Sequence, residues 1–424
     1  MRPKEDTLRM EEYNEGTMFD NVTEGEPLSS FSLEALVRSS AQRMVQAALE
    51  AEVTEFLKRL RGEKSESAEG FFGYRNGYQK PRVITTEVGP LAVKVPRVSD
   101  VPEEAGTFRS RLVKPYKRRS EGLDALFPRL FIEGLATRDF EPALRFLVGE
   151  QAPLSPSSIS RLNRQFKDEY EAWKRRDLSK LKIVYLWADG IYLKAGIADE
   201  KLCLLVVMGA DVTGRKHLLG LVEGYRESKE SWLELLRDLK KRGLNEPAVA
   251  AADGGLGFWA ALPEVWQQTR EQLCWLHKTR NILDKLPKRE HKEAAERLRA
   301  IYLAEKKEAA RYLADRLIAE WKQIGYFKAA ECLENALDRL LTFYSFPIQH
   351  ARHLRSTNII ESPFATVRLR TNAARRIRSS RSGLYLVFKL LERASTGWQT
   401  LCHAEKLKEV KLPGEQVSVT TIPS

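Results

Sequence analysis

The chain has 424 residues, 43% of them apolar, and a formal net charge of +12 with a pI near 9.4. That length exceeds one small core and implies about two to four structural units, and no apolar run reaches the roughly 18–20 residues that would cross a bilayer. Basicity alone can serve solubility, but here it is concentrated: residues 1–30 are acidic, while residues 352–393 hold ten Lys and Arg against Glu361 and Glu392, the footprint of a polyanionic partner.

Residues 1–28 are polar and acidic and predict a mobile tail. From 30 to 60, Leu33, Leu36, Val37, Met44, Val45, Ala48, Val53, Phe56 and Leu57 recur at helical spacing. The stretch 70–78 lacks that periodicity. Residues 83–88 and 91–97 then read as two strands around a Gly89-Pro90 turn. Arg82, Lys94 and Arg97 suit this hairpin to a DNA backbone, and it equally suits a structural role. Residues 120–172 predict three helices, the second from near Thr137 to Gly149. The third starts with Ser155 as N-cap and Pro156 at the first helical position. A helix-turn-helix whose last helix reads DNA through Arg161 and Arg164 fits this spacing. So does any other three-helix bundle.

Next come apolar runs with strand character at 183–189, 202–209 and 217–222, the last two joined by a turn at Thr213-Gly214-Arg215. Ser228 caps a helix through Trp232, Leu233, Leu235, Leu236 and Leu239 that Gly243 stops. A fourth strand at 248–253, a short helix near 258–262 and a fifth strand at 272–275 follow. Three antiparallel strands, then helix–strand–helix–strand, is the order of the ribonuclease H-like fold, a mixed, helix-rich α/β architecture. Residues 279–345 are charged and helical without strand signal, and 357–403 return to helix. The expected division is a tail (1–28), a helix and β-hairpin region (29–110), a helix-turn-helix-like region (111–178), a ribonuclease H-like core in two parts (179–278 and 346–403) around an all-helical insertion (279–345), and a second tail (404–424).

Two aspartates and a glutamate carry the chemistry. Asp189 ends Ile183-Val184-Tyr185-Leu186-Trp187-Ala188, Asp253 ends Ala248-Val249-Ala250-Ala251-Ala252, and Glu361 follows Asn358-Ile359-Ile360. Burying an unpaired carboxylate is costly, and three together repel one another unless cations sit between them. In so basic a chain the matching cation is Mg²⁺ and the matching substrate a nucleic-acid phosphodiester. Taken singly, Asp189-Gly190 and Asp253-Gly254 are also turn dipeptides, and Glu361 alone is also a solvated or capping charge; their joint place in one strand order favours the site. Pro363 puts Glu361 at a helix N-terminus, either inside a first turn starting near residues 358–360 or just outside a helix capped by Ser362. The segment Cys274-Trp275-Leu276-His277 is a C-x-x-H, half a zinc set with no second close pair. Packing of Cys274 beside a polar His277 that faces the carboxylates fits better. Cys203, Cys274, Cys332 and Cys402 show no C-x-x-C pattern and no disulfide framework, which suits a reducing cytosol.

These residues give the chain its resemblance to bacterial insertion-sequence transposases of the mutator type. It rests on Trp187-Ala188-Asp189-Gly190, Ala252-Asp253-Gly254, Cys274-Trp275-Leu276-His277-Lys278-Thr279-Arg280-Asn281 and residues 357–371, with residues 134–140 and 155–162 also fitting, and spans about residues 70 to 403. The family's motif usually has proline after the asparagine, where this chain has Ile359. The resemblance implies a DDE transposase with Asp189, Asp253 and Glu361 as catalytic residues and ligands of Mg²⁺ or Mn²⁺, two ions in all. Cys274, His277, Asn281 and Asn358 would support the site. Arg161, Arg164, Lys278, Arg280, Arg368, Arg370, Arg375, Arg376 and Arg378 would contact DNA, although the same arginines also suit a solvent-facing helix. The implied reaction is cleavage at the element's ends followed by strand transfer of the freed 3′-hydroxyl. Its partners are double-stranded DNA, as terminal inverted repeats and as target, and further copies of the chain. The implied place is the cytoplasm, at the nucleoid. A nuclease that cuts without joining, or a silent DNA-binding relic, are the competing readings.

Overall fold

The computed structural model describes residues 32–62, 73–101, 103, 106–133, 156–194, 201–373 and 380–414. Met1–Ser160 and Arg161–Ser424 form two compact units.

In the first unit, α1 (Leu33–Gly62) starts where the Ser32 hydroxyl accepts the Ala35 N–H at 3.2 Å. It packs on two antiparallel ladders. In one, β1 (Tyr74–Tyr78) pairs with β4 (Pro96–Ser99); in the other, β2 (Arg82–Thr86) pairs with β3 (Gly89–Val93). Leu49 and Val53 of α1 meet Leu91, Val93, Val95, Phe108 and Val113 in the shared core. The hairpin turn falls at Glu87-Val88 rather than at Gly89-Pro90, because Thr86 pairs with Gly89 and Thr85 with Pro90. Proline is tolerated there because Thr85 turns its own backbone outward: its N–H donates to the Arg118 carbonyl and its carbonyl accepts the Ser120 N–H. Of the basic residues on this hairpin, Arg82 is committed to structure, donating to the Val113 and Lys114 carbonyls at 2.7 and 3.1 Å. A helix α2 (Glu121–Glu133) follows. The helix expected between Thr137 and Gly149 lies outside the described residues.

Helix α3 (Pro156–Lys174) crosses into the second unit. Its C-terminal half is used for packing. Phe166 and Tyr170 are buried, Tyr170 and Trp173 stack on Phe388, and the Tyr170 hydroxyl donates to the Leu221 carbonyl.

The second unit is built on a five-stranded sheet in the order β7-β6-β5-β8-β9. The strands are β5 (Ile183–Lys194), β6 (Lys201–Asp211), β7 (Lys216–Gly224), β8 (Val249–Ala252) and β9 (Arg270–Leu273). Strand β6 is antiparallel to both β5 and β7; β8 and β9 run parallel to β5. All four residues of β8 are buried, as expected for a strand in parallel pairing with both faces covered. Between β7 and β8 lies α4 (Lys229–Lys241), capped by Ser228, whose hydroxyl accepts the Ser231 N–H. Between β8 and β9 lies α5 (Leu256–Val265).

After β9 come α6 (Trp275–Leu283), α7 (His291–Leu303), α8 (Lys307–Gln323), α9 (Phe327–Glu334), α10 (Leu337–Leu340) and α11 (Ala351–Leu354). Leu298, Ile301, Ala314, Leu317, Trp321, Ala330 and Leu333 are buried along these helices. Buried Gln272 ties them to the sheet: its Nε2 donates to the Leu340 carbonyl and its Oε1 accepts the Phe343 N–H. The chain then returns as α12 (Asn358–Ala373), which packs on β5, and α13 (Ser380–Ser395), which packs on β7. No described helix is long and apolar enough to cross a membrane.

Candidate active site

Asp189 lies within a strand, not at its end. After Asp189, β5 continues to Lys194 because residues 190–194 still pair with β6, whereas β8 has stopped at Ala252. Ala188 and Ala252 are the last parallel partners, so Asp189, within β5, and Asp253, just past β8, stand at the same level of adjacent strands. Asp253 ends β8 by turning its carboxylate back onto the Gly255 N–H at 2.8 Å, the Asx geometry that opens α5. The Trp259 indole donates to the Asp253 carbonyl at 2.6 Å. Asp189 Oδ1 accepts its neighbour Gly190 N–H at 2.8 Å.

Cys274 follows β9 and joins the same level by donating its N–H to the Ala252 carbonyl. Thr357 then lies against it, with its N–H 3.4 Å from Cys274 Sγ. The Thr357 carbonyl accepts the N–H groups of Ile360 and Glu361, which starts α12. Glu361 is therefore in the first helical turn, the first of the two placements that Pro363 allowed, and Pro363 itself sits in the second turn. The Thr357 hydroxyl donates to Glu361 Oε1 at 2.5 Å. His277 Nδ1 lies 3.9 Å from the same oxygen.

The charges of both Asp253 and Glu361 act on Asp189. Burial pushes the Asp189 carboxyl up to about 7; the Asp253 charge adds to this, with smaller contributions from Glu227 and Glu361, and the Gly190 N–H opposes it. The Cys274–His277 pair has opposite character. His277 rises to about 9 through its hydrogen bond with Cys274, against burial, helped by the negative charges of Cys274, Glu361 and Asp253. Burial raises the Cys274 thiol, but the hydrogen bonds from His277 and Thr357 outweigh it and hold the thiol below its ordinary value. Ligand atoms of Cys274, His277 and Glu361 lie within 4.8 Å of one another. His277 and Glu361 are within ion-pair distance, and the Thr357 hydroxyl holds the same glutamate oxygen.

Asp189, Asp253 and Glu361 offer hard oxygen donors, the chemistry that suits Mg²⁺ or Mn²⁺. Their unrelieved repulsion at Asp189 is what a divalent cation would remove.

Of the other expected residues, Asn281 is exposed on α6, with Nδ2 3.9 Å from where a Cβ on Gly254 would stand. Asn358 is exposed at the start of α12 and makes no hydrogen bond to the carboxylates among the described residues. Arg164, Arg280 and Arg368 are exposed, and Lys278 and Arg370 are half-buried. Arg161 falls on α3, and Arg375, Arg376 and Arg378 lie outside the described residues. All four cysteines are free thiols. Sequence reasoning missed Glu227 and Thr357. Thr357 was detectable as a hydroxyl four residues before Glu361 on one helix face. Glu227 lies in the polar loop Tyr225-Arg226-Glu227-Ser228, where no apolar run marks it.

The family described as Transposase, Mutator family, matches residues 16–400. The transposase for insertion sequence element IS6120 of Mycolicibacterium smegmatis is 45% identical over 279 residues, 66% of this chain and 86% of its own length. The transposase for IST2 of Acidithiobacillus ferrooxidans is 41% identical over 272 residues, 64% of this chain and 92% of its own. That for ISRM5 of Rhizobium meliloti is 30% identical over 365 residues, 85% of this chain and 88% of its own. The family match covers most of the chain, and the chain belongs to the Mutator family of transposases.

Proposed function

We propose that this transposase cuts phosphodiester bonds at the ends of an insertion sequence and joins the freed 3′-hydroxyl to another DNA strand, using Asp189, Asp253 and Glu361 around divalent cations. What supports the reading most is that Asp189 and Asp253 stand at the same level of adjacent strands, with Asp189 pushed up to about 7 and Glu361 among the charges that act on it. The strand order β7-β6-β5-β8-β9, with an all-helical segment before the glutamate, supports a ribonuclease H-like core.

In the first step water attacks the phosphorus, loses its proton and expels the 3′-oxygen, which leaves as a 3′-hydroxyl. In the second, that hydroxyl attacks a phosphodiester of the target and expels the target's 3′-oxygen, so one bond is made for each bond broken. Bound Mg²⁺ or Mn²⁺ would lower the pKa of the attacking oxygen and neutralise charge on the leaving one. Asp189 and Asp253 hold fixed positions because the strands that carry them are central and buried. Glu361 is held by the Thr357 hydroxyl and the His277 cation. Lys278, Arg280, Arg368 and Arg370 supply positive charge for the phosphates, and two DNA ends call for more than one copy of the chain.

The test is cleavage and joining of DNA carrying the element's own ends, with Mg²⁺, for wild type, Asp189→Ala, Asp253→Ala and Glu361→Ala. The expectation is nicking and joining by wild type, and DNA binding without either step by the three variants. Full activity of Glu361→Ala would place the third ligand elsewhere. Nicking by wild type without joining of pre-cut ends would favour a nuclease.

A further inference from the structure

Glu227 lies in the loop between β7 and α4, just before the Ser228 cap. Its carboxylate turns toward Asp253 and the segment that follows Asp189. A Cβ on Gly190 would fall 2.4 Å from Glu227 Oε1. Asp253 Oδ1 and Glu227 Oε2 both lie within 3.2 Å of the point where a Cβ on Gly255 would stand. The residues that follow Asp189 and Asp253 in the chain thus lack side chains where Glu227 needs the space. Its backbone is clamped as well: a Cβ on Gly257 of α5 would fall 2.0 Å from the Glu227 carbonyl oxygen. The Tyr192 hydroxyl of β5 faces the carboxylate.

An acid beside a helix N-terminus has an ordinary explanation, attraction to the helix dipole. That attraction is satisfied equally well by a side chain pointing into water. It does not explain why Glu227 turns inward, toward Asp253 and into the space that Gly190 and Gly255 leave open.

We propose that Glu227 is a fourth carboxylate of this centre and shares a divalent cation with Asp253. The proposal rests on the reading of the centre as a cation site. A cation between Glu227 Oε2 and Asp253 Oδ1 would supply the positive charge that this approach lacks. It would also leave Glu361, on the side of Cys274 and His277, to act on the other ion.

The experiment is calorimetric titration of Mn²⁺ into the full chain, with melting temperature read in parallel. Wild type is compared with Glu227→Gln, Asp189→Asn and Glu223→Gln, the last altering an exposed charge on β7 outside the centre. The expected result is at least a tenfold loss of Mn²⁺ affinity in Glu227→Gln, loss of the Mn²⁺-induced rise in melting temperature, and wild-type behaviour of Glu223→Gln. If Glu227→Gln fails to fold, Glu227→Asp, which keeps the charge and shortens the reach, is expected to weaken Mn²⁺ at least threefold. Wild-type Mn²⁺ affinity in a folded Glu227 variant, with affinity lost in Asp189→Asn, overturns the role of Glu227 and leaves the cation site standing. No Mn²⁺ uptake by wild type overturns the cation site, and the role of Glu227 with it.

Discussion

Asp189 holds its proton up to about pH 7 because burial and neighbouring carboxylates make its ionised form costly. A carboxyl with a raised folded pKa favours the fold fully below its unfolded value, near 4, and that advantage is lost as pH rises through the folded value, near 7. Each tenfold change in proton affinity is worth about 1.4 kcal/mol, so the strain above pH 7 is on the order of 4 kcal/mol. Without divalent cations, Asp189→Asn should therefore be more stable than wild type at pH 8 by up to that amount, and equal to it at pH 4. Adding Mg²⁺ at pH 8 should stabilise wild type and leave the variant nearly unchanged. Urea denaturation at the two pH values, with and without Mg²⁺, reads both effects; a variant that loses stability at pH 8 would show that the carboxylates are not strained. Asp189 and Asp253 were legible in the sequence because a charge at the end of an apolar run has no packing explanation. Glu227 was not, since a glutamate before a serine N-cap looks like any other loop acid.

At the scale of elements, long apolar runs gave away β5, β6 and β7, and charged helical periodicity gave away α7 to α9. Strand β1 escaped because Tyr74-Arg75-Asn76-Gly77-Tyr78 is polar and fully exposed, held by its ladder with β4 rather than by burial. The extent of β5 beyond Asp189 escaped for a related reason: its continuation depends on β6 as a partner, and pairing is not written in one strand's own residues. Gln272 shows how the helical segment is joined to the sheet. It is fully buried and serves Leu340 and Phe343 through both ends of its amide. Gln272→Ala leaves the Phe343 N–H unpaired, while the Leu340 carbonyl keeps the Trp275 indole at 2.8 Å. The loss should be about 1–3 kcal/mol, read from urea midpoints, with faster amide exchange at Phe343. Unchanged exchange at Phe343 would mean that the helices are held to the sheet by packing alone.

At the scale of the whole molecule, a chain of net charge +12 carries a small group of acids at its candidate active site. Such a centre repels DNA unless nearby cations outweigh it. Helices α6 and α12 begin beside each other, where Thr357 meets Cys274, and both carry cations away from that point. Lys278 and Arg280 lie within the first two turns of α6, and Arg368 and Arg370 lie roughly 15 Å or more along α12 at 1.5 Å per residue. If these residues meet phosphates, each contact releases counterions, and the slope of log affinity against log salt should fall by about 0.9 for each contact removed. Arg368→Ala with Arg370→Ala should therefore lower the slope by about 1.8, measured by fluorescence anisotropy on a duplex carrying the element's end. Asp189→Ala should leave the slope unchanged, because it removes no phosphate contact. A double arginine variant with the wild-type slope would assign both residues to a solvent-facing helix, and the charge that brings DNA to the carboxylates would have to come from another face.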